Sequence, residues 1–340
     1  MPCLVRPVGS APSLGDPLVD EYLRFTAARV RANTLTAQAF DLKVFFTVVP
    51  KTPQQVTVTD VLLFIEAQRA PRRGGNVSRR ADGEAGLAAS TIKRRLATVS
   101  SLFDYLFLRG ICDRNPVPRS LGARHARPDG RGHGGRRGAP LVRAPRKLPR
   151  VLAPAEVGAL TGALRTDRDR AMVALMVHGG LRRCEVLGLR FEHVQVGDRR
   201  VFVADGKGGH QRLVPVADVF FTTLAAYLSS ERPTEAIDDH VFVVLKGPNR
   251  GRPLTAAGLD EVMAGARGRA GLSHASCHEL RHTCFTRLRE AGMALEAIQA
   301  QAGHASIETT RVYLHLSNDW LAGEYQRAMA ILDGLHEEEP

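Results

Sequence analysis

The chain has 340 residues, 44% hydrophobic and 24% charged, an ordinary balance for a soluble protein and enough for two domains. No run approaches the roughly 18 apolar residues that span a bilayer, and the N-terminus lacks the basic-then-apolar layout of a secretory signal. A membrane or secreted protein is therefore disfavoured, and a cytoplasmic one expected. Lys and Arg number 47 against 35 Asp and Glu, and the resulting net charge of +12 favours a polyanionic partner, nucleic acid being the commonest.

After a flexible stretch at 1–16, residues 17–115 read as helices. Apolar residues recur at helical spacing over 17–32. Thr34 is placed to cap a second helix that ends at Pro50, and Thr57 or Thr59 to open a third that Pro71 stops. From Ser90 a long helix carries Ile92, Leu96, Val99, Leu102 and Leu106 as one apolar stripe. Lys93, Arg94 and Arg95 lie off that stripe and are candidate phosphate contacts. Residues 116–150 change character. Pro, Gly and Arg dominate, and ten basic side chains, among them Arg136, Arg137, Arg146 and Lys147, face Asp129 alone. Such a segment reads as a linker: either an arm lying along DNA or a solvated spacer.

A second domain is expected over 151–335, followed by an acidic tail at 336–340. Two helices come first, the second ended by Gly179 and Gly180. Short β-prone runs follow, with a hairpin whose loop is Gly206–His210. Helical patterns then return to the end of the chain. The fold class expected is mainly α with a small β-sheet (α+β). The five cysteines are odd in number and form no C-x-x-C pair, so reduced thiols are expected rather than a metal module. No metal site and no cofactor are expected.

Four pieces stand out: GLRRCE at 180–185, the hairpin loop with Lys207, HELRH at 278–282, and Gly303-His304 followed nine residues later by Tyr313. Each alone has an ordinary reading: a terminus-neutralising arginine, a helix salt bridge, a capping histidine, a core-edge tyrosine. Lys207 is one of only six lysines in a chain whose basic residues are mostly arginine. Taken together and in this order, the motifs GLRRCEVLGLR, GKGGHQRLVPV, HELRHTCFTRL and QAGHASIETTRVYLH resemble the tyrosine recombinase (phage integrase) family. The resemblance covers almost the whole chain. It implies a helical core-binding domain and a mixed catalytic domain that clamp a DNA duplex between them.

The same resemblance implies the roles of single residues. Tyr313 is the nucleophile, Arg182 and Arg281 bind the phosphate, His278 and His304 are the two active-site histidines, and Lys207 is the hairpin lysine. Glu185 matches an acidic position with a supporting role. The residue types suit the task. Paired guanidiniums grip non-bridging oxygens and stabilise charge in the transition state. A phenol with a pKa of about 10 needs a base, and an imidazole is the natural one. A lysine can protonate the leaving 5′ oxygen. The resemblance further implies a 3′-phosphotyrosine intermediate and a homotetramer in the synapse, with a monomer or dimer when free.

A mobile-element or phage integrase or transposase is the leading role expected. A chromosome- or plasmid-dimer resolving recombinase is the alternative, and a partner recombinase or accessory protein is possible in either. A type IB topoisomerase-like enzyme and a catalytically silent DNA-binding regulator are further alternatives. Little room before Val19 for an arm-binding domain disfavours the larger phage integrases. The C-terminal helix, with Trp320, Leu321, Tyr325 and Met329 at helical spacing, is read equally as docking on its own domain or on a neighbour.

Overall fold

The computed structural model describes residues 3–5, 11–70, 86–118, 141–143, 150–204, 211–236 and 238–303. The chain divides into two compact units, Met1–Arg146 and Lys147–Pro340.

The first unit is helical. Asp16 accepts from the backbone N–H groups of Leu18 and Val19 and starts α1 (Pro17–Ala27), with Pro17 in the first turn where its missing N–H costs nothing. Helix α2 (Ala32–Val48) begins from Arg31 with no side-chain cap, so Thr34, expected to cap it, lies inside the first turn. Helix α3 (Val58–Arg69) opens from Thr57, one of the two threonines expected, with a capping box. Thr57 accepts from the Asp60 N–H, and Asp60 accepts from the Thr57 N–H. Helix α4 (Ala89–Leu108) starts one residue before the expected Ser90. Its stripe Ile92, Leu96, Val99, Leu102 and Leu106 is buried against Leu23 of α1, Leu42 and Phe45 of α2 and Phe64 of α3.

The expectation for the basic cluster on α4 needs correcting. Arg95 is buried, and its guanidinium donates to Gln68 Oε1. The carboxylate responsible is Asp41 of α2, fully buried, which draws Arg95 Nε to 3.6 Å, Thr98 Oγ1 to 3.2 Å, and a hydrogen bond from Arg94. Arg94 keeps about half of its side chain exposed, and Lys93 stays on the surface. A buried carboxylate without cations would carry a large desolvation penalty, so two arginines turn inward to meet it. Arg136, Arg137, Arg146 and Lys147 lie outside the described residues.

The second unit is mixed. Helices α5 (Pro154–Gly162), α6 (Asp167–His178) and α7 (Arg183–Leu187) come first. A three-stranded antiparallel sheet follows: β1 (Val194–Gln195), β2 (Arg200–Val203) and β3 (Arg212–Pro215), in the order β1-β2-β3. The pairing places Val201 opposite Val214 and Val203 opposite Arg212. The expected hairpin is thus present as its two strands, while the loop with Lys207 lies outside the described residues. Four helices complete the unit: α8 (Asp218–Ser230), α9 (Ala256–Arg269), α10 (Cys277–Glu290) and α11 (Leu295–Ala302).

Helix α6 is the axis of this unit. Residues 171–177 are buried without a break, and the helix packs against α8 on one side and α10 on another. A helix apolar all round belongs in an interior. The architecture is mainly α with a small sheet, as the sequence leads one to expect. No described helix is long and apolar enough to cross a membrane.

The Asp41 cluster generates a test. Arg95→Gln should lower stability, seen as a lower urea midpoint, yet leave the salt slope of DNA binding unchanged. Asp41→Ala, which removes the carboxylate that faces a buried guanidinium, should cost about 3 kcal/mol. A flattened salt slope in Arg95→Gln would return Arg95 to the DNA contacts.

Candidate active site

Two helix ends and one strand build the site. Helix α6 stops at Gly179, and Gly180 turns the chain at φ +67°. A Cβ on Gly180 would stand 2.4 Å from the Phe285 ring, so the close approach of this corner to α10 needs glycine. The chain then enters α7 with Arg182 at its N-cap. Helix α10, capped by Ser276, carries His278, Arg281 and His282 in its first two turns. Its spacing puts His278 and Arg281 on one side.

Glu185 joins these pieces. It is buried, and Oε2 accepts from the Arg182 backbone N–H at 2.8 Å while Oε1 accepts from Arg182 Nη1 at 2.7 Å. Arg212 of β3 adds a fork, Nη1 to Oε1 at 3.1 Å and Nη2 to Oε2 at 2.9 Å. Arg281 Nη1 stands 3.9 Å from Oε2. Burial by itself would raise the Glu185 carboxyl. The hydrogen bonds and charge of Arg212 and Arg182 outweigh it and hold the pKa at about 2. Three guanidiniums thus face one carboxylate, and the cluster keeps a surplus of positive charge.

The two expected phosphate arginines are differently engaged. Arg281 is only 3% exposed. Its Nη1 donates to the Gly180 carbonyl, its Nη2 to the Ala302 carbonyl at 2.7 Å, and its Cζ lies 4.8 Å over the centre of the Phe285 ring. Arg182 keeps 21% of its side chain exposed, and among the described residues its Nε and Nη2 have no hydrogen-bond partner. Arg182 is therefore the guanidinium with donors open to an incoming anion.

His278 is exposed, yet its pKa lies below the ordinary imidazole value, through partial desolvation and the charges of Arg281 and Arg182. Its Nε2 is 2.9 Å from His282 Nε2, one turn on, with the rings edge to face. His282 is pushed down to about 4, by burial first and then by its cationic surroundings. Both rings are thus neutral near pH 7, and an Nε2–Nε2 contact between neutral rings requires one to donate and the other to accept.

Of the expected site residues, the structure brings together Arg182, Glu185, His278 and Arg281. Lys207, His304 and Tyr313 lie outside the described residues. Two members went unassigned in the sequence, Arg212 and His282. Arg212 had a signal: it is in phase with Val214 and Val216, which face the core, and an arginine on a core face needs a buried carboxylate.

A family model described as the phage integrase family matches residues 150–319, the span that contains this cluster. The chain belongs to that family, the tyrosine recombinases. It is therefore a DNA breaking-rejoining enzyme. Among its relatives is tyrosine recombinase XerC of Serratia marcescens, 29% identical over 323 residues, covering 94% of this chain and 96% of the relative. Tyrosine recombinase XerC of Yersinia pestis is 31% identical over 249 residues, 72% of this chain and 74% of the relative. The Tn1549 transposon integrase in complex with a circular intermediate DNA superposes with a TM-score of 0.66 over 92% of this chain and 98% of its own, at 16% identity. That last likeness is one of fold.

The recombinase's Glu185 supplies a pH test. Its pKa is depressed, so its contribution to stability is complete above about 4.5 and is lost as pH falls toward about 2. The stability gap between wild type and Glu185→Gln should be constant from neutral pH down to about 5 and shrink below it. A gap that widens on acidification would contradict the ionised carboxylate.

Proposed function

We propose that this recombinase cuts DNA with Tyr313, holds the strand as a 3′-phosphotyrosine, and works as a Xer-type enzyme that resolves chromosome or plasmid dimers. The observation that carries the chemistry is the open Nε and Nη2 of Arg182 in a cluster with surplus positive charge. A scissile phosphate bears one negative charge, and two N–H donors of a guanidinium match two of its oxygens. Arg281, anchored on two carbonyls, adds charge from beneath.

His278, neutral near pH 7, takes the phenol proton of Tyr313. The phenolate oxygen bonds to phosphorus, and the bond to the 5′ oxygen breaks. Lys207 donates the proton that makes this a 5′-hydroxyl, and His304 completes the phosphate contacts. The phosphodiester energy stays in the link, so a 5′-hydroxyl from a second duplex can attack and rejoin without ATP. We assign residues 17–115 to DNA binding, 151–335 to catalysis and 116–150 to a phosphate-contacting arm. Four copies on two duplex sites, with a partner recombinase or accessory protein, make up the synapse.

What supports the resolving role is the character of the relatives that span most of the chain, named XerC at 29% and 31% identity. A mobile-element integrase, the leading expectation from sequence, has behind it a likeness of fold at 16% identity.

A nicked duplex, selected from a random library for specific binding to wild-type protein, gives the direct test. Wild type should form an adduct that survives denaturation. Tyr313→Phe should bind equally well and form none, and an unchanged adduct yield would remove Tyr313 as nucleophile. Plasmid dimers carrying two copies of the selected site should become monomers; relaxation without exchange would favour a topoisomerase-like enzyme. Deleting 119–147 should flatten the salt dependence of binding, since fewer counterions are released.

A further inference from the structure

We infer that Arg212 is a positioning residue, one that keeps Glu185 occupied so that Arg182 has donors left for the phosphate. The inference rests on the recombinase reading of the site and adds to it a residue outside the expected set.

The geometry assigns all three side-chain nitrogens of Arg212. Nη1 and Nη2 take both oxygens of Glu185, at 3.1 and 2.9 Å, and Nε donates to the Gln301 carbonyl in the last turn of α11, at 2.8 Å. The side chain is only 8% exposed. Arg182 meets the same carboxylate with one side-chain nitrogen, Nη1. Glu185 thus has two guanidinium neighbours at hydrogen-bonding distance, one holding it with a fork and one with a single arm.

Removing the fork changes what Arg182 must do. A buried carboxylate with half of its lone-pair sites empty carries a large penalty, and the nearest remedy is the neighbouring guanidinium. Arg182 would turn to make the bidentate pair itself, since that is the preferred arrangement of guanidinium and carboxylate. Its Nε or Nη2 would then be spent on Glu185 and lost to the phosphate. Arg212 prevents this competition.

The Nε bond serves the same arrangement from the other side. It ties β3 to the end of α11, where Gly303 turns at φ +61° and a Cβ would stand 3.1 Å from Arg212 Cδ and Nη1. The turn therefore closes directly over the Arg212 side chain, and His304 is the next residue in the chain.

The test uses the full chain as wild type, Arg212→Met, Arg212→Lys, Glu185→Gln and the double variant Arg212→Met with Glu185→Gln. Cleavage of the selected nicked duplex at saturating protein is read alongside duplex affinity and Tm. Arg212→Met should cleave about 100-fold more slowly, comparable to losing one preorganised donor, with affinity within about twofold. Arg212→Lys, which restores charge without the fork, should fall between. The double variant should cleave faster than Arg212→Met, because the competing carboxylate is gone. A merely structural role predicts the opposite, a double variant worse than either single one, and that result overturns the inference. So does wild-type cleavage by a folded Arg212→Met or, where that variant does not fold, by Arg212→Lys.

A second readout needs no catalysis. Modification of Arg182 by an arginine-selective dicarbonyl, mapped by peptide mass, should fall by half or more in Arg212→Met and recover in the double variant. Unchanged modification overturns the inference even for a protein that forms no adduct. Absence of an adduct with wild type overturns the phosphotyrosine reading and leaves this readout standing.

Discussion

One buried carboxylate organises the second unit. Glu185 gathers Arg182 from the start of α7, Arg212 from β3 and, at longer range, Arg281 from α10. Three cations this close repel one another, and in a part of the protein shielded from water that repulsion is poorly screened. A single negative charge between them lowers the cost of assembling them but does not cancel it. What remains is an unmet positive potential, and it is unmet on the side where Arg182 reaches solvent. An anion-binding site is then a consequence of incomplete neutralisation. A second carboxylate in the cluster would stabilise the protein and weaken its attraction for an anion.

The surrounding backbone is shaped to permit that cluster. The Gly180 and Ala302 carbonyls both accept from Arg281, and Gln301 lends its carbonyl to Arg212 and its side-chain amide to the Gly179 carbonyl at 3.4 Å. Carbonyls freed at the ends of α6 and α11 are thus satisfied by functional side chains instead of water. Glycines stand where they must. Gly180 lies against the Phe285 ring and Gly303 over the Arg212 side chain, both with positive φ. The sequence motifs around Arg182 and His304 contain glycine because a side chain would collide with the residues that hold the arginines.

Local rules in the sequence were legible where their partners were also local. The opening of α3 at Thr57, the apolar stripe of α4, the end of α6 at Gly179 and the two hairpin strands all follow from spacing within a dozen or so residues. The errors arise where the partner is distant in sequence. Arg95 reads as a surface cation because nothing near it shows that Asp41, on another helix, is buried and needs it. Arg212 passes unremarked although its phase with Val214 and Val216 marks it as core-facing, because its carboxylate lies 27 residues away. Thr34 has the composition of a cap, but α2 starts earlier, from Arg31. In the site, the order of motifs singled out Arg182, Glu185, His278 and Arg281, residues far apart in sequence that the structure brings together, since family resemblance carries information that single-sequence physics does not.

The histidines show how the arginines also set the acid–base state. His278 and His282 sit on the same helix as Arg281, and His278 is also near Arg182, so each ring is held neutral partly by the arginine charges around it. An anion brought into the cluster would add negative charge beside His278 and raise its basicity, which is what the proposed proton transfer from the phenol requires. The His278 imidazole is therefore a weaker base in the empty site than it would be beside an anion. His282, half-buried and lower of the two, stays neutral through that change and can hold the partner ring by one Nε2–Nε2 hydrogen bond. The same positive surplus that would attract a phosphodiester thus also keeps the His278 ring unprotonated in the empty site, and both properties trace back to a carboxylate outnumbered by guanidiniums.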